Sequence, residues 1–188
     1  MKLIEIIKND IYRYYGKNKL NIKDKITMDK ELKFIISYRK ANYYRNNKLK
    51  KYFYILKHKR FSKKCACQLP YTLTIGKGFY IGHLSGIIIN PKVIFGDNVN
   101  VAQGVTIGQE NRGKRKGTPV IGNEVWIGAN AVVVGKIKIG NNVLIAPNSY
   151  VNFDVPDNSI VIGNPGKIIN KDNATEDYAI GDVDEWHK

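Results

Sequence analysis

Three histidines are the residues of this chain best suited to acid–base chemistry near neutrality: His58, His83 and His187. His58 lies in a strongly basic stretch and His187 next to the terminus, and both read as solvated. His83 is different. It is bracketed by Gly82 and Gly86 in Gly82-His83-Leu84-Ser85-Gly86, where little side-chain bulk surrounds it. A neutral imidazole there suits deprotonation of a hydroxyl. The only thiols, Cys65 and Cys67, have no evident catalytic partner, so a cysteine nucleophile and a disulfide framework are not expected. No His/Cys/Asp cluster suggests a catalytic metal. One base without a covalent relay fits direct attack of an activated hydroxyl on an acyl carbon.

The elements that must hold His83 come from a six-residue period. An aliphatic or aromatic residue followed by a small or polar one recurs as Ile89-Asn90, Phe95-Gly96, Val101-Ala102 and Ile107-Gly108. It resumes as Ile121-Gly122, Ile127-Gly128, Val133-Val134, Ile139-Gly140, Ile145-Ala146 and Val151-Asn152. Four residues after most starts comes another small or β-branched residue, Val155 among them. A period of six fits neither a helix nor a meander. It fits short strands joined by tight turns, three hexads to a triangular coil, with aliphatic starts filling the prism and small residues at turns, often at positive φ. The fold expected is mainly β, a parallel β-helix with an N-terminal helical region.

The phase breaks twice. Two extra residues enter at Gly82–Ile88, around His83, and eight enter between Ile107 and Ile121. Loops that interrupt a rigid solenoid tend to mark its binding face.

At these breaks the chain resembles the left-handed β-helix, hexapeptide-repeat acyltransferases, and most of all the serine O-acetyltransferases and related polysaccharide O-acetyltransferases. The residues that carry the likeness are Ile75-Gly76-Lys77-Gly78, His83 to Ile89, Gln103 to Gln109, Pro119 to Gly128 and Asn158 to Lys167. The resemblance implies a left-handed coil, acetyl-CoA as acyl donor, a homotrimer with grooves between adjacent subunits, and His83 as general base. It also shows departures. The residue before the histidine is Asp in serine acetyltransferases and Gly82 here. The aspartate that orients the histidine from fifteen residues upstream corresponds to Gln68. The arginine and histidine at the end of the long loop correspond to Gly117 and Thr118. Gln68, Gly82 and Thr118 thus stand on the acceptor side, where a clamp for a zwitterionic amino acid is missing. These departures favour a hydroxyl of a surface-polysaccharide sugar as acceptor. Serine O-acetyltransferase in cysteine synthesis is the first alternative, and a non-catalytic membrane-docked scaffold the second.

For coenzyme A, the resemblance points to positive charge from Lys114 and Arg115 on the loop and Lys167 after Asn164-Pro165-Gly166. Gly128, Ala129, Ala146 and Pro147 leave room along a coil edge. A backbone N–H between Gly104 and Gly108 is a candidate for the developing oxyanion. Trp126 reads as a packed residue rather than an adenine platform.

The charge bounds the rest. The 188 residues carry a formal +15. Residues 1–64 hold 20 basic and 5 acidic side chains and 8 of the 12 tyrosines, whereas residues 65–188 hold 11 of each charge. The balance suggests a polyanion, yet the excess is confined to the first third and no nucleic-acid module appears there. The division expected is a basic helical region at 1–64, a β-helix domain at 65–169 and an acidic tail at 170–188. Helices start where Asn21 or Asp29 can cap, with a further helical stretch over Glu31–Lys59. They read as a collar with a solvated basic face that packs subunits, or as a contact with an anionic membrane surface. No apolar run spans a bilayer. The charged start at Lys2, Glu5 and Lys8 lacks a signal-peptide pattern, so a cytoplasmic protein, peripheral to the inner membrane face if docked, is expected.

Overall fold

A computed structural model describes residues 2–17 and 19–178. Four helices come first: α1 (Leu3–Tyr15), α2 (Ile22–Thr27), α3 (Lys30–Tyr43) and α4 (Lys51–Lys64). Asn21 caps α2, its side chain accepting from the Asp24 N–H. Asp29 precedes α3 but makes no such cap, and its carboxylate instead accepts from the Tyr15 hydroxyl. The helical stretch anticipated over Glu31–Lys59 is broken at a turn around Asn47, whose side-chain oxygen accepts from the N–H groups of Leu49 and Lys50.

Fourteen short strands follow, and they stack into a triangular prism. One face is β1 (Thr74–Ile75), β4 (Ile94–Phe95), β7 (Val120–Ile121) and β10 (Lys138–Ile139). The second is β2 (Tyr80–Ile81), β5 (Asn100–Val101), β8 (Val125–Ile127), β11 (Val143–Ile145), β13 (Ser159–Ile162) and β14 (Lys167–Asn170). The third is β3 (Ile88–Ile89), β6 (Thr106–Gly108), β9 (Val132–Val134) and β12 (Tyr150–Val151). All pairs are parallel except β13 with β14. The hexad starts point inward: Ile81, Ile107, Ile127, Val133, Ile139 and Ile145 are fully buried in one continuous core.

The register locates both insertions. Val120 pairs with Lys138 at the uninterrupted offset of 18. Tyr80 pairs with Asn100 at 20, but Ile88 with Thr106 at 18. The two extra residues therefore lie between β2 and β3, in the His83 segment. Ile94 to Val120 and Thr106 to Val132 are both offset by 26, so the eight extra residues sit between β6 and β7. A third change was not anticipated. Val143 pairs with Ser159 and Ile139 bridges to Val155, both at 16. Val155 occupies the place of a hexad start, and the last coil is shortened by two residues.

The small residues after the hexad starts have a different cause from the one expected. Gly76, Gly96, Gly122, Gly128 and Gly140 are not at positive φ; that conformation falls two residues later, at Gly78, Asn98, Glu124, Asn130 and Asn142. Glycine is needed because coils touch there. A Cβ on Gly122 would lie 2.7 Å from the carbonyl carbon of Gly140, inside any tolerated contact. Asn supplies most of the left-handed positions because its short polar side chain tolerates αL.

A stack of coils has an open edge at its first turn, and exposed edges must be covered. The N-terminal helices do this with polar side chains. The Leu73 carbonyl accepts from the Tyr38 hydroxyl (2.9 Å), those of Ile75 and Gly76 accept from Arg39 (2.7 and 2.6 Å), and that of Gly78 from Arg13 (3.2 Å). Arg39 is held by a bidentate pair with buried Asp10, at 2.8 and 2.9 Å. Asp10 also accepts from the Phe79 N–H. Phe34, Ile35 and Tyr38 of α3 close the apolar end of the prism. The basic region is thus not wholly a solvated face, because Arg13 and Arg39 are buried.

His58 also differs from its expected solvated state. It is 2% exposed, with Nε2 2.7 Å from the Leu69 carbonyl and Nδ1 2.8 Å from the Ser37 hydroxyl. Burial lowers its pKa below the ordinary value, while the bond to Leu69 opposes that shift. A histidine with a depressed native pKa contributes stability above its unfolded pKa and loses it as pH falls. The thermal midpoint should therefore drop as pH falls through about 6.5, and His58→Gln should flatten that part of the profile. An unchanged slope in His58→Gln would place the pH sensitivity elsewhere.

At the far end, residues 171–178 return along the second face. The Thr175 hydroxyl donates to Asn142 (2.8 Å), the Asn100 amide donates to the Tyr178 carbonyl (2.9 Å), and the Tyr178 ring rests 4.9 Å from that of Trp126. The tail is docked this far, and Trp126 is a packed residue. Positions 179–188, with His187, lie outside the described residues.

Candidate active site

Each corner of the prism is a column of turns, one per coil. The corner between the second and third faces carries residues 82–87, 102–105, 128–131, 146–149 and 163–166. Backbone bonds tie the column together. Gly104 N–H donates to the Ser85 carbonyl (2.8 Å), Asn130 N–H to Gln103 (3.0 Å), Asn148 N–H to Ala129 (2.9 Å) and Tyr150 N–H to Gly163 (3.0 Å). His83 stands in the first turn of this column. Gly128 and Ala129 lie two coils on, Ala146 and Pro147 three coils on, and Asn164-Pro165-Gly166, joined by a cis bond before Pro165, closes it next to Lys167. With coils spaced by roughly 4.8 Å, the edge from His83 to Ala146 is about 14 Å long. Close packing keeps it narrow, since a Cβ on Gly128 would sit 2.6 Å from the Pro147 nitrogen.

The long loop occupies another corner, between the third and first faces. Glu110 pairs with Gly117 across it, Arg115 lies 3.6 Å from Glu110, and Lys136 N–H donates to the Arg115 carbonyl (2.8 Å). At its end the Thr118 hydroxyl donates to the Lys92 carbonyl (3.3 Å). Gly108, at the end of β6, leads into this loop. Within one chain, then, Lys114, Arg115 and Thr118 are not brought together with His83. The third face lies between them.

Gln68 sits beside β3. Its N–H donates to the Ile87 carbonyl (2.7 Å), and its own carbonyl accepts from Ile89 (3.0 Å). Its side chain is exposed and faces a cavity of about 490 Å³ with Lys59, Lys63, Tyr71 and Ile88. The His83 side chain is exposed, and no hydrogen bond or ion pair engages it among the described residues. Gln68 therefore does not orient it here.

The segment that carries His83 is held at both ends by groups the sequence did not single out. The Tyr14 hydroxyl of α1 donates to the Ile81 carbonyl (2.7 Å) and lies 3.0 Å from the Ile81 N–H, which donates to it. Glu31 of α3 accepts from the Leu84 N–H (3.3 Å). The tyrosine ring packs 4.5 Å from that of Tyr80, and burial pushes its phenol well above the ordinary value, so it stays protonated. The only sequence signal for these two was their place in a helical region rich in tyrosine.

Two backbone donors considered for an oxyanion are already used. Gly104 N–H pairs with Ser85, and Thr106 N–H with the Ala131 carbonyl (3.0 Å). Burial raises the pKa of both cysteine thiols, which keeps them away from the nucleophilic thiolate form. Among the described residues no group of three or more His, Cys, Asp or Glu could hold a metal ion.

Comparison with known proteins agrees with this architecture. The bacterial transferase hexapeptide family (six repeats) matches residues 118–152. A serine acetyltransferase of Staphylococcus aureus is 45% identical over 98 residues, covering 52% of this chain and 46% of that protein. The chain thus spans about half the length of the curated relatives it matches. A serine acetyltransferase from Brucella abortus, solved in complex with coenzyme A, superposes with a TM-score of 0.73 at 25% identity, covering 90% of this chain and 67% of that one. One from Neisseria gonorrhoeae, solved in complex with serine, superposes with a TM-score of 0.72 at 27% identity, covering 89% and 69%. These are left-handed β-helices, and the present chain shares their fold.

Proposed function

We propose that this hexapeptide-repeat chain is an acetyl-CoA-dependent O-acetyltransferase, with His83 as its general base. The observation that carries the reading is the column of turns that starts at His83 and continues as a narrow edge of Gly128, Ala129, Ala146 and Pro147 to Lys167. An extended acyl-thioester arm laid along that edge would end its acyl carbon beside an imidazole free to accept a proton. His83 takes the proton of the acceptor hydroxyl as the oxygen attacks the thioester carbonyl. The tetrahedral adduct then collapses, the carbon–sulfur bond breaks, and the thiolate receives the proton back from the imidazolium.

The loop residues enter through a second copy. Lys114, Arg115 and Thr118 lie at a corner that His83 of the same chain does not share, so the site is complete only where the loop corner of one copy meets the His83 corner of the next. Three such heterologous contacts close a ring, and a homotrimer is the assembly proposed.

Serine is the acceptor that the relatives support. A sugar hydroxyl is the second reading. It rests on Gln68, Gly82, Gly117 and Thr118, none of which offers a charge to grip a carboxylate or an ammonium group. The two separate in one assay. With acetyl-CoA fixed, release of the free thiol is followed against serine and against a panel of neutral sugars and sugar nucleotides. Turnover with serine at the rate of a competent enzyme removes the sugar reading. Turnover of a sugar at least about a hundredfold faster than serine, the scale of a lost polar clamp, removes the serine reading. Absence of thiol release with every acceptor, together with no binding of coenzyme A, would remove both and favour a scaffold.

A further inference from the structure

The basic residues of 48–64 make no use of their charge in the β-helix. Between residues 32 and 96 the chain has no Asp or Glu, while residues 48–64 carry eight Lys or Arg. None of these eight is in an ion pair among the described residues. Seven of them, all but Lys51, are exposed. At about 100° per residue, Leu49, Tyr52, Phe53, Leu56, Lys59, Arg60, Lys63 and Lys64 fall on one stripe of α4 and the turn before it, opposite buried His58. The stripe is divided along its length. Leu49, Tyr52, Phe53 and Leu56 are 90, 65, 63 and 54% exposed, and they occupy its first part. Lysine and arginine occupy the rest. Beside it, between α3 and α4, lies a groove of about 470 Å³ rimmed by Lys33, Lys40 and Lys57 and floored by Ile36 and Phe61.

We infer that the exposed stripe of α4 docks this protein on an anionic membrane surface, with Leu49, Tyr52, Phe53 and Leu56 in the headgroup boundary and the basic groups on lipid phosphates. The chemistry favours lipid over another copy of the chain. A face-to-face contact of the stripe with itself would press four cations on each side together with no carboxylate between them. An anionic bilayer instead offers an apolar layer beneath a negative one, matching both parts of the stripe. No described helix is long and apolar enough to cross a membrane, so α4 lies along the surface. In a ring of copies several such stripes would act together, raising the apparent affinity. Arg13 and Arg39 play no part in this, being buried against the first coil.

The test does not depend on acetyl transfer. The full chain is sedimented with vesicles of phosphatidylcholine alone or mixed with phosphatidylglycerol. Binding is expected only to the mixed vesicles, weakening as salt rises. Phe53→Ser/Leu56→Ser and Arg60→Glu/Lys64→Glu should each weaken it by at least roughly tenfold, with unchanged circular dichroism and unchanged thiol release where the wild type shows any. Arg60 and Lys64 are exposed, so the charge pair carries the test if the apolar pair fails to fold. Equal binding to neutral vesicles, no binding to either, or binding indifferent to Arg60→Glu/Lys64→Glu would overturn the inference. So would a larger assembly in solution that Phe53→Ser/Leu56→Ser breaks apart, which would make the stripe a self-interface.

Discussion

Acetyl transfer by a His83→Ala chain is expected to fall by about two to four orders of magnitude, the usual contribution of a positioned general base. The loss should appear in kcat with little change in the binding of coenzyme A, because the edge from Gly128 to Lys167 does not involve the imidazole. The fold should survive. His83 is exposed and makes no side-chain hydrogen bond among the described residues that its removal would orphan, so the thermal midpoint should stay close to wild type, as for a surface substitution. Thiol release followed with a chromogenic reagent measures the first effect, and calorimetry the second. Full activity in His83→Ala would remove the proposed mechanism. A large fall in the midpoint would show that the residue acts in folding instead.

Replacing Arg39 by alanine is expected to cost about 3–5 kcal/mol of stability, the scale for removing one partner of a buried ion pair. The reason is in what remains. Asp10 would keep its burial but lose the bidentate guanidinium, and the Ile75 and Gly76 carbonyls would lose their donor at the open edge of the first coil. Burial already pushes the Asp10 carboxyl upward against the pull of Arg39. Without Arg39 it would rise further, so the ion-pair part of the penalty should be absent where the carboxyl is protonated with and without Arg39, leaving only the part due to the unpaired carbonyls. The ion-pair part should grow as pH climbs past the native Asp10 value, itself raised above the ordinary carboxylate range by burial. Urea unfolding across pH reads this directly, with exposed Arg45→Ala as the control. A cost below about 1 kcal/mol would mean that water replaces Arg39 without penalty, and a larger cost independent of pH would place it on the Ile75 and Gly76 carbonyls instead of Asp10.

Both expectations concern the first coil, and they show what is hidden in a repeat. The period of six was readable because every inward position faces the same packing problem, so the same residue types recur. The two insertions were readable as phase errors, and their register in the structure puts them where the count did, around His83 and between Ile107 and Ile121. The first coil obeys other constraints. It has no preceding coil to pair with, and its partners are single side chains from elements 40 or more residues away in some cases, such as Tyr14 on Ile81 and Asp10 on Phe79. No periodicity announces contacts made only once. Charge counting likewise assigned Arg13 and Arg39 to a solvated basic face, because composition cannot tell a cation buried on carbonyls from one in water. His58 was misplaced for the same reason.

The sequence by itself determined the coil, its inward residues, the two interruptions and the histidine inside the first of them. Each follows from local spacing repeated until only one geometry fits. Tertiary structure alone decided that glycine after a hexad start answers to coil contact and not to φ, and that Val155 closes a shortened last turn. It also decided that the loop and His83 stand at different corners, and that α1 and α3 grip the histidine segment while one stripe of α4 faces outward. Those outcomes depend on which coil lies above which, and on where a helix returns to an open edge. Such distances run across the chain, and the order of residues along it does not record them.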